Sequence, residues 1–579
     1  SAMLLGSRNE LDPELKSAFV ETGTMHLLAI SGLHVGLLAW FLFFLFQICR
    51  VSPAKSAILV ALIILFYAIL TDARPPVIRA TILVWVFCLS QFLNRDVPGF
   101  NSLAAAGLIV MVMNPASFFQ VGTQLSFLAV ATILWFIPTW RRVVERQVDA
   151  HPRLLDDRVS WQGLWFWLNR SVRYCIFISL TIWLITLPLT MARFHLISPI
   201  GPVMNVVLWI PVTIALVSGF LFLVVCILCP PLAVVLAGVV NQAFHFIDWI
   251  VSHAAELPGS HFWVAGPCDW WLLGFYLLLG MGLFLPRQLG FPRWPRFAPI
   301  AWIGIGLFIA AMASPPKELR ATFIAVGHGS STLIQTTSGE NILCDCGCFA
   351  SGRDGADTIS RVLWDRGVRR LDGVFLSHAD ADHYNALPGL LERFHVKTVY
   401  IPPRMFLDEP DSSMLAALHQ AIDKAEVEVR EIQAGDRLRI GKDCCIDVLH
   451  PAKRYALESN NANSMVLLVE HAKRRMLLPG DLQLSGINAL LAEGSVDCDV
   501  LLVPHHGSRN SSPAELARWC RPEHAIVSSR AGDLHSDTKA AYQQQGACVY
   551  QTNHDGAIDV TLGRNCVAVT PFVTGRISP

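Results

Sequence analysis

Charge is scarce over the first half of this 579-residue chain, and no signature for handling ATP occurs in either half. Only 16% of residues are charged against 53% hydrophobic, and the mean hydropathy is +0.46. Between residues 25 and 313, repeated apolar runs with few charges exclude an ordinary soluble domain. No Gly-x-x-x-x-Gly-Lys-Ser/Thr string is present, so ATP-driven work through a P-loop falls to a partner. Net charge is lacking too, with 45 Lys/Arg against 45 Asp/Glu. That balance conceals an asymmetry: residues 1–316 hold 18 and 13, leaving 27 and 32 for residues 317–579. The acidic second half shows no basic–aromatic stripe of the kind that tracks a nucleic-acid backbone. Its nine cysteines include no Cys-x-x-Cys. Cys344, Cys346 and Cys348 cluster and read as packing thiols, with a disulfide open to them outside the cytoplasm. The chain starts Ser1-Ala2-Met3-Leu4, without an initiator Met or a signal peptide, and reads as a piece of something longer.

A chain this long holds more than one domain. Residues 1–24 read as a polar, amphipathic lead-in, 25–313 as a membrane domain, 314–318 as a linker around Ser314-Pro315-Pro316, and 319–579 as a soluble domain. Apolar spans are expected near 26–47, 56–70, 77–93, 102–113, 122–138, 174–191, 203–228, 232–251, 269–286 and 298–313. Eight to ten of them form membrane elements, some half-spanning. Seven arginines in the loop 139–173 and three in 287–297 place both loops in the cytoplasm. One further span then carries the second half to the outer face. Polar groups within spans are candidates for a path: His26, Ser31 and His34 at near-helical spacing, Arg74 and Arg79 beside Pro75-Pro76, Gln124, and Asn205. Helix packing for the first three, and snorkelling to the interface for the arginines, are the plainer alternatives.

In the second half, Leu376-Ser377-His378-Ala379-Asp380-Ala381-Asp382-His383 follows a short apolar strand and precedes a helix. It offers four potential metal ligands at spacings too tight for one ion: His378, Asp380, Asp382 and His383. Two adjacent ions fit better, His378 with Asp380 serving one and Asp382 with His383 the other. A polar loop that happens to hold these residues is the alternative.

Strings elsewhere carry a resemblance. His26-Leu27-Leu28-Ala29-Ile30-Ser31-Gly32-Leu33-His34, Arg79-Ala80, Gln124-Leu125-Ser126-Phe127 and Phe194-His195-Leu196-Ile197-Ser198-Pro199 resemble the competence domain of the ComEC family. The second half resembles the metallo-β-lactamase domain in which that family ends. The resemblance implies a polytopic α-helical membrane domain followed by an α/β metallo-β-lactamase-like αββα sandwich. It also implies an inner-membrane channel that translocates single-stranded DNA in natural transformation, with an outer-face nuclease degrading the other strand of the duplex. Expected partners are a DNA receptor and a cytoplasmic ATP-driven translocase. A membrane-anchored phosphodiesterase without transport, and a channel with an inactive outer domain, are the alternatives.

The same resemblance extends the site. Asp345, in Asp345-Cys346-Gly347, is expected to brace the ligand loop rather than bind metal. Asp481, closing Leu478-Pro479-Gly480-Asp481, is expected to bridge two divalent ions. Of His505 and His506, in His-His-Gly-Ser, His505 is favoured as ligand and His506 as a second-layer contact. His450 and His535 are weaker candidates. The family's Gly-Gln-Gly-Asp is replaced by Gly327-His328-Gly329-Ser330, without the carboxylate, and its Gly-Gly by Asn385-Ala386. Asn is expected at that turn for its tolerance of unusual backbone angles. With Asp380 in place of the usual imidazole, Asp382, His383 and Asp481 are expected to work with Mn²⁺ in preference to Zn²⁺.

Overall fold

The computed structural model describes residues 13–28, 32–93, 95, 97–149, 161–284, 298–311, 314–406, 413–452, 458–564 and 566–573. The chain divides into two compact units, Ser1–Trp302 and Ile303–Pro579.

The first unit is helical. Four described helices are long and apolar enough to cross a bilayer: Pro53–Leu70, Pro75–Phe92, Leu168–Phe194 and Pro230–Ala255. Three of them open on prolines, whose missing N–H falls among the unpaired donors of a first turn. Shorter apolar helices include His34–Ile48, Gly99–Met113, Val121–Phe136, Asp269–Leu283 and Ala298–Ile309. The single span expected at 203–228 is bent by 46° between Gly201–Val207 and Trp209–Phe222. Pro211 explains the position of the break: its ring crowds the carbonyl four residues back, at Val207, the last residue of the first helix. The expected loop 139–173 is largely helix, because Val121–Asp149 and Trp161–Phe194 run past the apolar stretches read as spans. Residues 150–160 and 287–297 lie outside the described residues. Inside the unit, Phe19, Val60, Ile64, Leu208, Leu216, Ile247 and Val251 are buried together. Outside, Ile58, Leu62, Phe66, Ile69, Val234 and Val235 are exposed, as suits a surface solvated by lipid.

The second unit is a sandwich of two sheets. In chain order the strands of these two sheets are β1 (Leu319–Phe323), β2 (Thr332–Gln335), β3 (Asn341–Cys344), β4 (Gly373–Phe375), β5 (Thr398–Ile401), β6 (Glu428–Glu431), β7 (Arg437–Ile440), β8 (Cys444–His450), β9 (Val466–His471), β10 (Arg474–Leu478), β11 (Val500–Leu502), β12 (His524–Val527), β13 (Cys548–Gln551), β14 (Ile558–Leu562) and β15 (Val567–Pro571). One sheet runs β6-β5-β4-β3-β2-β1-β14-β15 and the other β7 through β13 in sequence. Alternation along β8 and β14 turns Ile446, Val448, Ile558 and Val560 inward, where they meet Phe323, Phe375, Leu467, Met476 and Ile526 between the sheets. Helices Leu484–Ala492, Pro513–Cys520 and Ser536–Gln544 cover the outer face of the second sheet through Ile487, Leu516, Trp519 and Tyr542. Helix Leu387–Leu391 touches both Gly352–Asp365 and Ser413–Lys424, which bury Ile359, Leu363, Leu418 and Ile422. This is the αββα sandwich expected. Cys344, Cys346 and Cys348 are buried free thiols.

Within each sheet one run of strands is parallel: β3 with β4 and β5, and β10 with β11 and β12. Chain segments leaving their C-terminal ends gather at one edge, the crevice where α/β sheets place ligands. Two of these segments touch closely. A β-carbon on Gly347 would stand 2.3 Å from the carbonyl carbon of Asp382, so only glycine lets the turn after β3 meet the loop after β4. Gly347→Ala is therefore expected to destabilise the protein by about 1–3 kcal/mol. The measurement is the unfolding midpoint of the full chain in detergent. Gly494→Ala, in an exposed segment where a β-carbon meets nothing within 4 Å, serves as the neutral control. Equal midpoints would show that the two segments have room to part.

Candidate metal centre

Six segments supply the site, five of them from the ends of parallel strands: Asp345 after β3, His378 to His383 after β4, Asp481 after β10, His505 and His506 after β11, and Ser528 after β12; the sixth is the turn between β1 and β2, with His328. Asp345 sits beneath the loop after β4. It is buried, in the left-handed region at φ 56°, a conformation that costs a non-glycine residue about 1–3 kcal/mol. Its carboxylate accepts from the Ser377 amide at 2.8 Å, from the Ser377 hydroxyl at 3.0 Å and from His383 Nδ1 at 2.8 Å. With the Ser377 proton given to Asp345, the Ser377 oxygen is left to accept from His378 Nδ1 at 2.9 Å. One carboxylate thus fixes two imidazoles with their Nδ1 protonated and Nε2 turned away.

Those Nε2 atoms converge. His378, His383 and Asp481 form one group and Asp382, His506 and His328 another; within each, the potential ligand atoms lie within 4.8 Å of one another. Asp481 links the two. Its Oδ1 is 3.3 Å from His383 Nε2 and its Oδ2 3.6 Å from His506 Nε2. His506 Nδ1 donates to the Ser528 carbonyl at 2.9 Å, which leaves its Nε2 3.4 Å from Asp382 Oδ2. His378 Nε2, His383 Nε2 and His506 Nε2 are buried without a hydrogen-bond partner. Buried polar atoms need partners. Separations of 3.3–3.6 Å match the roughly 3.4 Å edge of a tetrahedron of ligands about 2.1 Å from an ion. Imidazole and carboxylate are the donors that hold first-row divalent ions, so the residues present fit such ions.

The electrostatics agree. Burial works to raise the Asp382 carboxyl, but the His506 ring 3.4 Å away and the His383 charge outweigh it and hold the group at about 2. Burial likewise opposes ionisation of Asp481, and His383 and His506 overcome it, keeping the group well below the carboxylate range. Burial opposes the charge on His383, but Asp481 and Asp345 together hold its proton well above the usual histidine range.

The grouping differs from the expected one. His378 shares its group with His383 rather than with Asp380. Asp380 Oδ2 stands 3.5 Å from His378 Nε2 but Asp380 lies outside both groups, its Oδ1 accepting from Asn460 at 3.0 Å. His506, not His505, is the imidazole inside. Both residues are left-handed, at φ 53° and 49°, and the reversal sends the rings apart with centroids 6.4 Å from each other. His505 is left half-buried, 4.0 Å from Asp481 Oδ2. Burial lowers its basicity, against the pull of Asp481. His450 spends Nε2 on the Ala462 carbonyl, and His535 caps helix Ser536–Gln544 while bonding Arg509. Asn385 has ordinary helical angles, φ −62° and ψ −17°, so backbone tolerance does not explain it. Its side chain instead clasps Cys348, accepting from the amide at 3.1 Å and donating to the carbonyl at 2.6 Å. The sequence alone does not mark His328 as a ligand. Its signal was a histidine between two glycines, with no partner nearby in sequence.

In the helical unit the polar positions are dispersed. Arg79 does not snorkel: it is 6% exposed and donates to the Gly122 carbonyl at 3.2 Å. Gln124, on the same helix as Gly122, donates to Phe118 O, and Asn205 donates to Ser179 Oγ at 3.1 Å across a helix pair. His34 is buried, His26 is exposed with Nδ1 on the Gly23 carbonyl, and Arg74 precedes the first turn of Pro75–Phe92. Ser31 lies outside the described residues.

A proton on His383 and a cation at its Nε2 exclude each other. Metal uptake is therefore expected to release protons and to weaken as pH falls. The check is calorimetry of Mn²⁺ and Zn²⁺ binding in buffers of different ionisation enthalpy. Heats independent of the buffer would show that His383 enters the site already neutral.

Comparison with known proteins places both units. The family model described as Competence protein matches residues 3–289, and that of the metallo-beta-lactamase superfamily matches residues 324–527. ComE operon protein 3 of Bacillus subtilis (strain 168) is 26% identical over 588 residues, covering 96% of this chain and 70% of that protein. Competence protein ComA of Neisseria gonorrhoeae is 25% identical over 585 residues, covering 98% and 74%. Among solved structures, zinc-bound PqqB from Methylobacterium extorquens is similar, at 13% identity and a TM-score of 0.28, over 40% of this chain and 97% of that one. With both domains in one chain, and relatives that follow it over nearly its whole length, the protein belongs to the ComEC family of membrane-embedded competence proteins.

Proposed function

We propose that the helical unit passes one DNA strand across the inner membrane in natural transformation, and that the outer domain hydrolyses phosphodiester bonds of the other. The observation that carries the second half is Asp481, a single buried carboxylate whose two oxygens face two different imidazoles with unpartnered nitrogens. His378, His383 and Asp481 hold one divalent ion; Asp382, His506 and Asp481 hold another. Such ions, when bound, supply Lewis acidity toward phosphoryl oxygens and toward water. Asp382, held at about 2, stays an anionic ligand near neutral pH and is no proton donor. Asp345 and Ser528 keep the imidazoles aimed. DNA as substrate rests on family membership and on the names of the two competence relatives. Energy comes from a separate translocase, and duplex is delivered by a DNA receptor.

Three carboxylates lie around these histidines, counting Asp380 at 3.5 Å from His378. Two carboxylate ligands, with the negative charge of Asp380 close by, favour Mn²⁺ over Zn²⁺ for turnover. On the full chain in detergent, Asp382→Ala and Asp481→Ala are each expected to lower hydrolysis of linear DNA by at least about 100-fold, the upper range already reached by losing an outer partner of a ligand. The folded state should persist by circular dichroism. Wild-type turnover in either variant, or full activity with Zn²⁺ and none with Mn²⁺, would reject the corresponding assignment.

The outer placement of the soluble domain rests on the arginines of 139–173 and 287–297. Cys548, exposed on that domain, is a natural reporter. A membrane-impermeant maleimide is expected to label it, together with the exposed Cys566, in intact spheroplasts, and the Cys548→Ser, Cys566→Ser double variant to lose that label. Labelling only after permeabilisation would reverse the topology.

A further inference from the structure

His328 stands where the proposed mechanism leaves a corner of the site without a donor. It rises from the turn between β1 and β2, flanked by Gly327 at φ +85° and Gly329 at φ +142°. A β-carbon at position 329 would lie 2.4 Å from Gly347 O and 2.9 Å from Asp382 O. The turn is therefore pressed against the backbone of the ligand loop, and Ser330 secures it there by donating its amide to Asp382 O at 3.3 Å. The imidazole is oriented as its three neighbours are. Its Nδ1 donates to Asp533 Oδ2 at 2.9 Å, and the same oxygen accepts from the Arg530 amide at 2.7 Å. Phe349 packs edge-on, with ring centroids 5.6 Å apart. Nε2 then points inward, 3.7 Å from Asp382 Oδ2, and the ring centroid is 4.4 Å from that of His506.

That approach to Asp382 is too long for an N–H···O hydrogen bond, whose donor and acceptor lie about 2.7–3.2 Å apart. It has the length expected between two ligands of one ion. His328, Asp382 and His506 meet that test as a trio, their potential ligand atoms all within 4.8 Å. An imidazole whose Nδ1 is tied to a carboxylate is also a better donor at Nε2.

We propose that His328 is the third protein ligand of the ion held by Asp382 and His506, with Asp533 as the group that aims it. Resting on the reading of this cluster as a two-ion centre, the assignment gives the second ion three terminal donors, two neutral and one anionic, beside the shared Asp481.

The test is metal binding rather than turnover. Full-length protein in detergent is stripped and titrated with Co²⁺, with the ions counted by mass spectrometry and followed by visible absorption. Wild type is expected to take up two. His328→Phe keeps a ring against Phe349 and His506 but removes the donor. It is expected to weaken one site at least 10-fold, change the absorption of that site and leave the other site intact. Asp533→Asn is expected to weaken the same site by a smaller factor. Two ions bound by His328→Phe with wild-type affinities and spectrum would overturn the assignment while sparing the two-ion reading. Wild-type protein that takes up no Co²⁺ would overturn both.

Discussion

The soluble domain depends on one buried carboxylate. Asp345 lies beneath the ligand loop, accepts two bonds from Ser377 and a third from His383, and through the Ser377 hydroxyl controls His378. Without it, two imidazoles would be free to rotate or to change tautomer. The left-handed backbone at Asp345 is the strain accepted for that geometry. Gly347 is its corollary, since the turn that delivers Asp345 has to approach Asp382 more closely than any side chain permits. The Asp-x-Gly pattern is therefore one mechanical unit: the first residue bonds to the ligand loop and the third clears space for it.

Much of the fold was legible because it follows from local regularities. Apolar runs of bilayer length bounded by proline read as helices, and they are helices. The short apolar run before the ligand loop reads as a strand, and it is β4. What escaped the reading was set at a distance or by a backbone reversal. His328 gains meaning only from Asp533, 205 positions away. The choice between His505 and His506 turns on two consecutive left-handed residues, which no side-chain pattern announces. Asp380 fits the spacing of a ligand, yet Asn460, 80 residues on, takes one of its oxygens. Arg79 illustrates the same limit in the helical unit, where a charged residue beside Pro75-Pro76 read as interfacial and is buried against Gly122.

The paired histidines after β11 divide their labour through backbone alone. Identical side chains one position apart differ in burial, in hydrogen bonding and in the direction of their pKa, because the reversal turns one inward and leaves the other half-exposed. Gly507, at φ +89°, continues the left-handed path and lets the chain leave the site beside Leu534.

The ligand loops also belong to different sheets. Asp345, His378, Asp382 and His383 come from the sheet that contains β4; Asp481, His506 and Ser528 come from the one that contains β10. A cation shared among them is a rivet through the sandwich. Its binding energy becomes resistance of the two halves to separation, about 4 kcal/mol at a free concentration a thousandfold above the dissociation constant. The domain would then draw part of its durability from the ions dissolved around it, and chelation would be felt as softening of the protein as well as silence of the site.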